Sequence, residues 1–262
     1  MGNTDKNYAI LVISSDKYSD IWPTFFTCFK NNWPECNIPV YLGSNTTEYE
    51  NSLGVITILS GKDLDWSSSL KKILKEVKED YLFVILEDFL IISKVNEEEI
   101  IECFNYMINN NINHMHDMNL GMKYDNEVDN NYGQYMTGAP YRANVFGFWN
   151  KLCLMSILQE GESPWEFEIM GSYRSKTWDN FIALKEPPFL ILNLVEKGCY
   201  TKKSFDYCKK NNINISSNRS IWLRQNKIIK ILQVFYFNCM KRIPWKTRLK
   251  IMNKIRKLLI TY

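Results

Sequence analysis

The chain lacks the sequence signatures of several large protein classes. It contains no glycine-rich phosphate-binding loop and no Gly-x-Ser-x-Gly turn, which argues against an NTP hydrolase or a serine hydrolase. Its seven cysteines are scattered, and none are spaced as Cys-x-x-Cys. We therefore expect reduced thiols rather than disulfides or a zinc site.

Long apolar runs and a basic N-terminal segment are also absent. The apolar run at 8–13 is shorter than the core of a signal peptide. The longest apolar patch, Ile228 to Met240, is interrupted by Lys230 and falls short of the roughly 18 residues that a membrane span needs. With 45% apolar and 14% aromatic residues, the chain can bury a sizeable core, and we expect a cytoplasmic protein.

Acidic residues are missing from the last part of the chain. Residues 219–262, named here the basic tail, hold 12 Lys/Arg and no Asp/Glu, whereas the preceding residues carry a net charge of −9. Such asymmetry indicates an anionic partner, either a membrane surface or a nucleic acid.

The pattern of the basic tail favours the membrane. After Pro244, apolar residues recur every three or four positions and basic residues fill much of the rest, as in a helix that lies in the lipid interface: Trp245, Leu249, Met252, Ile255 and Leu259. A nucleic-acid-binding protein would carry basic residues on an otherwise basic domain, but the body here is acidic. We therefore predict a peripheral protein at the inner face of the cytoplasmic membrane, with no nucleic-acid partner.

Strand and helix patterns alternate over the first 110 residues. Strand patterns cover 8–13, 39–42, 55–59 and 81–86, and helix patterns cover 21–32, 66–78 and 97–109. This alternation predicts an α/β fold with a doubly wound, mostly parallel sheet. We predict one domain at 1–218, with a short helix at 151–160 and a loop at 161–175, followed by a helical appendage at 219–262.

Two adjacent carboxylates, Glu87 and Asp88, directly follow the apolar run at 81–86. Ligands of such sheets gather at the carboxyl ends of the strands, and hard carboxylate oxygens suit Mg²⁺ or Mn²⁺ together with substrate phosphates. The pair is therefore a candidate metal site. A helix cap or a surface ion pair is the structural alternative.

The segment 161–175 supplies a second set of candidates. Glu166 and Glu168 would point to one side of an extended backbone, and either could act as a general base. Trp165 could stack on a sugar ring, and Arg174 is a further candidate for acceptor binding. The structural alternative is a glutamate at a helix start and a solvated glutamate.

Two other polar groups are weaker candidates. The only two histidines, His114 and His116, would share a face of a strand, and with Asp117 they could ligate a metal, His116 being favoured. Arg142 could bind a phosphate bidentately or form a structural ion pair.

Several of these segments together resemble bacterial GT-A-type glycosyltransferases of capsule, O-antigen and lipooligosaccharide assembly. They are the first strand with its short polar turn, the Trp-Ser-Ser-x-Leu helix start, Leu-Glu-Asp-Phe, Tyr-Arg and Gly-Glu-Ser-Pro-Trp-Glu-Phe-Glu. The resemblance covers about residues 8–195. It implies transfer of a sugar from a nucleotide-sugar donor to a lipid-linked or lipooligosaccharide glycan, with inversion expected.

The resemblance also implies roles for individual residues. The donor would be bound by the first strands, and the candidates for its site are Ser14, Ser15, Asp16, Trp66, Ser67, Glu87 and Arg142. Asp88 and Glu87 would stand where the family's Asp-x-Asp motif holds a divalent cation on the diphosphate. Here the two acids are adjacent and Phe89 follows, so this sequence departs from the motif, and Asp88 is favoured over Glu87 as the ligand.

Three alternatives stay open at the level of the sequence. A nucleotidyltransferase shares the α/β sheet and the paired acids but ordinarily carries a glycine-rich loop after its first strand, where this chain has Ser14, Ser15, Asp16 and Lys17. The others are a non-catalytic protein that binds nucleic acid or membrane through the basic tail, and a relative that binds sugar without catalysis.

Overall fold

A nine-stranded sheet forms the centre of the molecule. The computed structural model describes residues 7–50, 53–62, 65–117, 126–128, 131–135 and 142–222, with 231–232, 235 and 247. The strands of the sheet are β1 (Tyr8–Ile13), β2 (Val40–Ser44), β3 (Ile56–Leu59), β4 (Tyr81–Leu86), β6 (His114–Asp117), β7 (Asn126–Glu127), β8 (Tyr132–Gln134), β9 (Gly147–Asn150) and β10 (Phe181–Leu184).

The strand order is β3-β2-β1-β4-β9-β6-β10-β8-β7. Strands β1 to β4 pair in parallel, and β6 pairs in parallel with β10. Strand β9 is antiparallel to both of its neighbours, β4 and β6, and β8 is antiparallel to β10 and β7. Most strands therefore run in one direction, which confirms the predicted mostly parallel α/β sheet.

Helices cover both faces of the sheet. They are α1 (Trp22–Asn32), α2 (Trp66–Glu76), α3 (Glu97–Asn109), α4 (Lys151–Ile157), α5 (Pro164–Arg174) and α6 (Lys202–Lys210). Residues of β1 alternate between two cores, as a buried strand requires. Ile10 and Val12 pack in the core that holds buried residues of α1, α3 and α6, whereas Leu11 packs in the core that holds those of α2, α4 and α5.

The segment 161–175 is a helix rather than the predicted loop. Ser163 caps α5 by accepting a hydrogen bond from the backbone N–H of Glu166, and the Glu166 carboxylate accepts one from the N–H of Ser163. This capping box and Pro164 in the first turn together favour a helix start. The Gly, Pro and acidic residues that indicated a loop are thus the start signal of α5.

A small unit covers the carboxyl end of β4. It is built from β5 (Phe89–Ile91), β11 (Ile191–Asn193), β12 (Val195–Glu196), β13 (Cys199–Thr201) and β14 (Ile221–Trp222), together with α6. Strand β14 pairs in parallel with β13, so the packed body includes the first residues of the basic tail. Most of the tail, with its predicted amphipathic helices, lies outside the described residues. Among those that are described, no helix is long and apolar enough to cross a bilayer.

Candidate donor site

The sheet has a topological switch point between β1 and β4. From β1 the chain proceeds to β2 and β3 on one side, and it then returns to β4 on the other side. In open α/β sheets, ligands bind in the crevice outside the carboxyl ends of the strands at such a point. Ser14, Ser15 and Asp16 follow β1, and Glu87 and Asp88 follow β4. The fold therefore brings these five predicted residues to one edge of the sheet.

Asp16 ties together the loops that follow β1 and β2. Its carboxylate accepts hydrogen bonds from the Ser44 hydroxyl (2.8 Å), the Thr46 hydroxyl (2.5 Å) and the backbone N–H groups of Asn45, Thr46 and Thr47. Burial alone would raise the pKa of Asp16, but the hydrogen bonds from Thr46, Ser44 and Thr47 hold it well below its usual range. Asp16 is thus an ionised residue that fixes the shape of this edge.

The Ser14 side chain links the two strand ends. Its oxygen accepts a hydrogen bond from the indole N–H of Trp22 at 2.7 Å, and its hydroxyl also interacts with the Glu87 carboxyl. Ser15 precedes the 3₁₀ helix Asp16–Ile21, and its carbonyl accepts a hydrogen bond from the N–H of Tyr18. Both serines are half-buried.

Glu87 is a buried acid, and its neighbour Asp88 is half-buried. The Glu87 residue is 7% exposed, and burial together with repulsion from Asp88 raises its pKa well above the usual range. Burial raises the pKa of Asp88 to about 6. The positive charge of Arg219 lowers the pKa of both groups but does not cancel the effect of burial. A buried carboxyl pair of this kind is stabilised by a proton or by a cation.

Sequence reasoning did not identify Arg219 as a residue of this region. Its Nε and Nη2 donate to the two carboxylate oxygens of Asp20 at 2.8 and 2.7 Å, although the residues are separated by 199 positions. Arg219 is the first residue of the segment that lacks acids, which indicated a tail, and no signal in the sequence pairs Arg219 with Asp20.

The start of α2 forms a wall beside the crevice. Ile73 packs against Gly43 near the carboxyl end of β2, where a Cβ atom on Gly43 would lie 2.7 Å from Cδ1 of Ile73. Trp66 precedes Ile73 by two helical turns, so it stands roughly 10 Å farther out at about 1.5 Å per residue. The Trp66 ring contacts Phe167 of α5, and the buried Ser67 accepts a hydrogen bond from the N–H of Glu162.

The four predicted acceptor and base residues lie on α5. Glu166 is exposed and serves in the capping box, whereas Glu168 is half-buried. Because two residues correspond to about 200° of helix, the two carboxylates leave α5 on opposite sides. The side-by-side arrangement expected of an extended backbone is therefore wrong. Trp165 is 41% exposed, and Arg174 donates to both carboxylate oxygens of Glu162.

Arg142 and the histidines are core residues. The Arg142 guanidinium, at 1% exposure, donates to the carbonyls of Ser175 and Trp178 and lies 4.0 Å over the Phe181 ring; burial lowers its pKa to about 10. His114 is held between the carbonyl of Phe148 and the N–H of Asn144. Burial, with repulsion from His116, lowers the pKa of His114 well below its usual range.

The histidines share a face of β6, as predicted, with ring centroids 4.9 Å apart. Within the described part of the chain, no group of three or more His, Cys, Asp or Glu residues is placed to hold a metal ion. Two carboxylates suffice for Mg²⁺ or Mn²⁺ when substrate phosphates complete the coordination. Glu87 and Asp88 are adjacent, they carry hard carboxylate oxygens, and Asp88 is half-buried, so the pair fits that requirement.

Comparisons with known proteins give distant structural similarities alone. No protein-family model and no curated protein matches the chain. TarS 1-349 of S. aureus in complex with UDP-GlcNAc has a TM-score of 0.49 at 9% identity, covering 92% of this chain and 69% of that one. The present chain covers 59% of the length of another TarS 1-349 structure and 37% of the length of a longer TarS structure.

Enzymes of two kinds occur among the similar structures. An active-site mutant of LgtC has a TM-score of 0.41 at 7% identity, covering 80% of this chain and 79% of that one. A UTP-bound UGPase from Acinetobacter baumannii has a TM-score of 0.44 at 12% identity, covering 71% and 87%. Scores and identities of this size do not bear on activity.

Proposed function

We propose that this chain is a nucleotide-sugar-dependent glycosyltransferase whose donor site lies at the carboxyl ends of β1 and β4. The observation that carries the proposal is the pair formed by the buried Glu87 and the half-buried Asp88 at the switch point of the sheet. A buried acid pair is costly to maintain, and a diphosphate accompanied by a divalent cation is a ligand that makes use of it. The motif resemblance to GT-A-type glycosyltransferases supports the same assignment.

A divalent cation, Mn²⁺ or Mg²⁺, would be held by Asp88 and Glu87. When bound, it would neutralise the charge that develops on the nucleoside diphosphate as the sugar leaves. Asp88 is the favoured ligand because it is the more exposed of the two acids. The neighbouring loop, which Asp16 ties to residues 44–47, would present a rigid surface to the nucleoside.

The acceptor would approach from the side of α2 and α5. Trp165 is exposed near the start of α5, where an aromatic ring can pack on the apolar face of a sugar. Glu168 is the favoured general base because Glu166 serves in the capping box. Removal of a proton from the acceptor hydroxyl, followed by in-line attack on the anomeric carbon, would give an inverted product.

The acceptor class and the location follow from the basic tail. A lipid-linked glycan or a lipooligosaccharide core lies at a membrane, and 12 basic residues without an acid would hold the enzyme at an anionic surface. The enzyme would thus act on a growing surface glycan at the inner face of the cytoplasmic membrane.

A donor screen tests the proposal. The full chain is heated with UDP-, GDP-, CMP- and dTDP-sugars, each with and without Mn²⁺, and the melting temperature is recorded. We expect one nucleotide class to raise the melting temperature, because a ligand that binds the folded state stabilises it. If no nucleotide stabilises the protein, the proposal is wrong. Release of pyrophosphate from a nucleoside triphosphate and a sugar phosphate would instead identify a nucleotidyltransferase.

A further inference from the structure

Arg219 holds the segment that connects β1 to α1. Its guanidinium forms a two-pronged ion pair with Asp20 in which both side chains are largely buried, at 11% and 17% exposure. The same guanidinium donates to the carbonyl of Lys17 at 2.8 Å and lies 4.7 Å from the centre of the Tyr18 ring. We call this set of contacts the Arg219 clamp. Because two parallel hydrogen bonds join the guanidinium to the carboxylate, this fork fixes the orientation of the two groups as well as the distance between them.

The clamp and Asp16 act on opposite ends of one short helix. The 3₁₀ helix Asp16–Ile21 begins with the residue that is tied to the loop after β2, and it nears its end at Asp20, which is tied to Arg219. Short 3₁₀ helices have little stability of their own. The two ties therefore hold the polar part of this segment beside the crevice, while Ile21 anchors its end in the core.

Arg219 is also electrostatically close to the acid pair. Its charge lowers the pKa of both Glu87 and Asp88. A series of backbone hydrogen bonds connects the same places: Leu194 N–H to the Asp88 carbonyl, Thr201 N–H to the Leu194 carbonyl, and Tyr200 N–H to the Ser220 carbonyl. The small unit thus joins the strand end that carries Asp88 to the residue that follows Arg219.

We propose that Arg219 is a positioning residue of the donor site, which holds the Asp16–Ile21 helix in place beside the crevice. The inference rests on the proposed function. It gives the first residue of the basic tail a role inside the catalytic body, distinct from any contact of the tail with a membrane. Loss of the clamp would release the wall of the crevice, which would weaken the binding of a nucleoside diphosphate.

The test compares two variants that each remove one positive charge from the chain. Arg219→Gln breaks the clamp, whereas Lys202→Gln removes an exposed lysine that pairs with Asp206 on α6. The dissociation constant of the nucleoside diphosphate found by the donor screen is measured by calorimetry, and the urea midpoint is measured alongside. We expect the dissociation constant to rise at least tenfold for Arg219→Gln and to change less than twofold for Lys202→Gln.

Two further variants separate positioning from general stability. Arg219→Lys keeps the charge but not the fork, so its dissociation constant is expected between those of the wild type and Arg219→Gln. Asp20→Asn breaks the fork from the other side and replaces Arg219→Gln if that variant does not fold. If Arg219→Gln and Asp20→Asn bind as tightly as the wild type, the inference is wrong while the proposed function stands. If the wild type binds no nucleotide, both fail.

Discussion

The carboxylates of Asp16 and Asp88 lie at neighbouring strand ends but meet opposite surroundings. Asp16 accepts hydrogen bonds from hydroxyl and backbone N–H groups, which keep its pKa well below the usual range. Asp88 is half-buried, and loss of hydration raises its pKa to about 6 despite a backbone hydrogen bond and the charge of Arg219. One acid is therefore satisfied by the protein itself, whereas the other gains most from a cation supplied with a ligand.

For single residues, substitutions of the two glutamates of α5 are expected to have different effects on turnover and on stability. Glu168→Gln should lower the rate of donor turnover by a factor of about 10²–10⁴, as loss of a general base does. Glu166→Gln should leave turnover within a few-fold and should instead weaken the start of α5, by up to about 1 kcal/mol. The rate is measured as hydrolysis of the donor, and stability is measured by urea unfolding. Equal rates for the two variants would remove Glu168 from the mechanism.

At the scale of the element, the start of α2 depends on Asp65. The Asp65 carboxylate accepts hydrogen bonds from the N–H of Ser68 and the hydroxyl of Ser67. Burial opposes ionisation, but the hydrogen bonds from Ser68 and Ser67, with one from the backbone of Gly161, together lower the pKa of Asp65 to about 2. A carboxyl group whose pKa is lowered by folding stabilises the protein above its unfolded pKa of about 3.9, and it loses that contribution as the pH falls toward 2.

Asp65→Ala is therefore expected to cost about 1 kcal/mol of unfolding free energy at pH 7. The difference in unfolding free energy between Asp65→Ala and the wild type should shrink between about pH 4 and pH 2, because the wild-type carboxylate becomes protonated there. Urea unfolding at several pH values measures both effects, and Asp206→Asn on the exposed face of α6 serves as the control. A difference that stays constant down to pH 2 would show that the cap does not act through its charge.

The sequence predicts best the elements whose apolar residues follow one clear pattern. Strands β1 and β4 are continuous apolar runs, and α2 and α3 have clear caps and amphipathic spacing, so their positions are close to those expected. Helix α5 was missed because Gly161 and Pro164 suggest a loop unless Ser163 and Glu166 are considered together. The ion pair of Arg219 with Asp20 depends on the three-dimensional fold, which brings residues 199 positions apart into contact, and no local pattern encodes it.

At the scale of the whole molecule, the division of charge between the body and the basic tail leads to a prediction about membranes. Neutralising four tail residues in the full chain, by substitution with glutamine at Lys250, Lys254, Arg256 and Lys257, should weaken binding to anionic vesicles by at least tenfold. Each basic residue near such a surface contributes about 1 kcal/mol, and not all four need face it.

The matched control neutralises four lysines of α6 in the same way, at Lys202, Lys203, Lys209 and Lys210. Vesicle binding of this control should stay within a few-fold of the wild type. Co-sedimentation at low and at physiological salt measures both proteins. If the control loses as much binding as the tail variant, the body rather than the tail binds the membrane.

We assign the diphosphate end of a nucleotide-sugar to the Asp88 carboxylate, and calorimetric titration of the corresponding nucleoside diphosphate tests that assignment. The titration is run on the wild type, Asp88→Asn and the control Asp206→Asn, with and without Mn²⁺. We predict that Mn²⁺ tightens wild-type and control binding at least tenfold, and that Asp88→Asn loses this gain while its urea midpoint stays at or above that of the wild type. Wild-type affinity and the full Mn²⁺ gain in Asp88→Asn would contradict the claim.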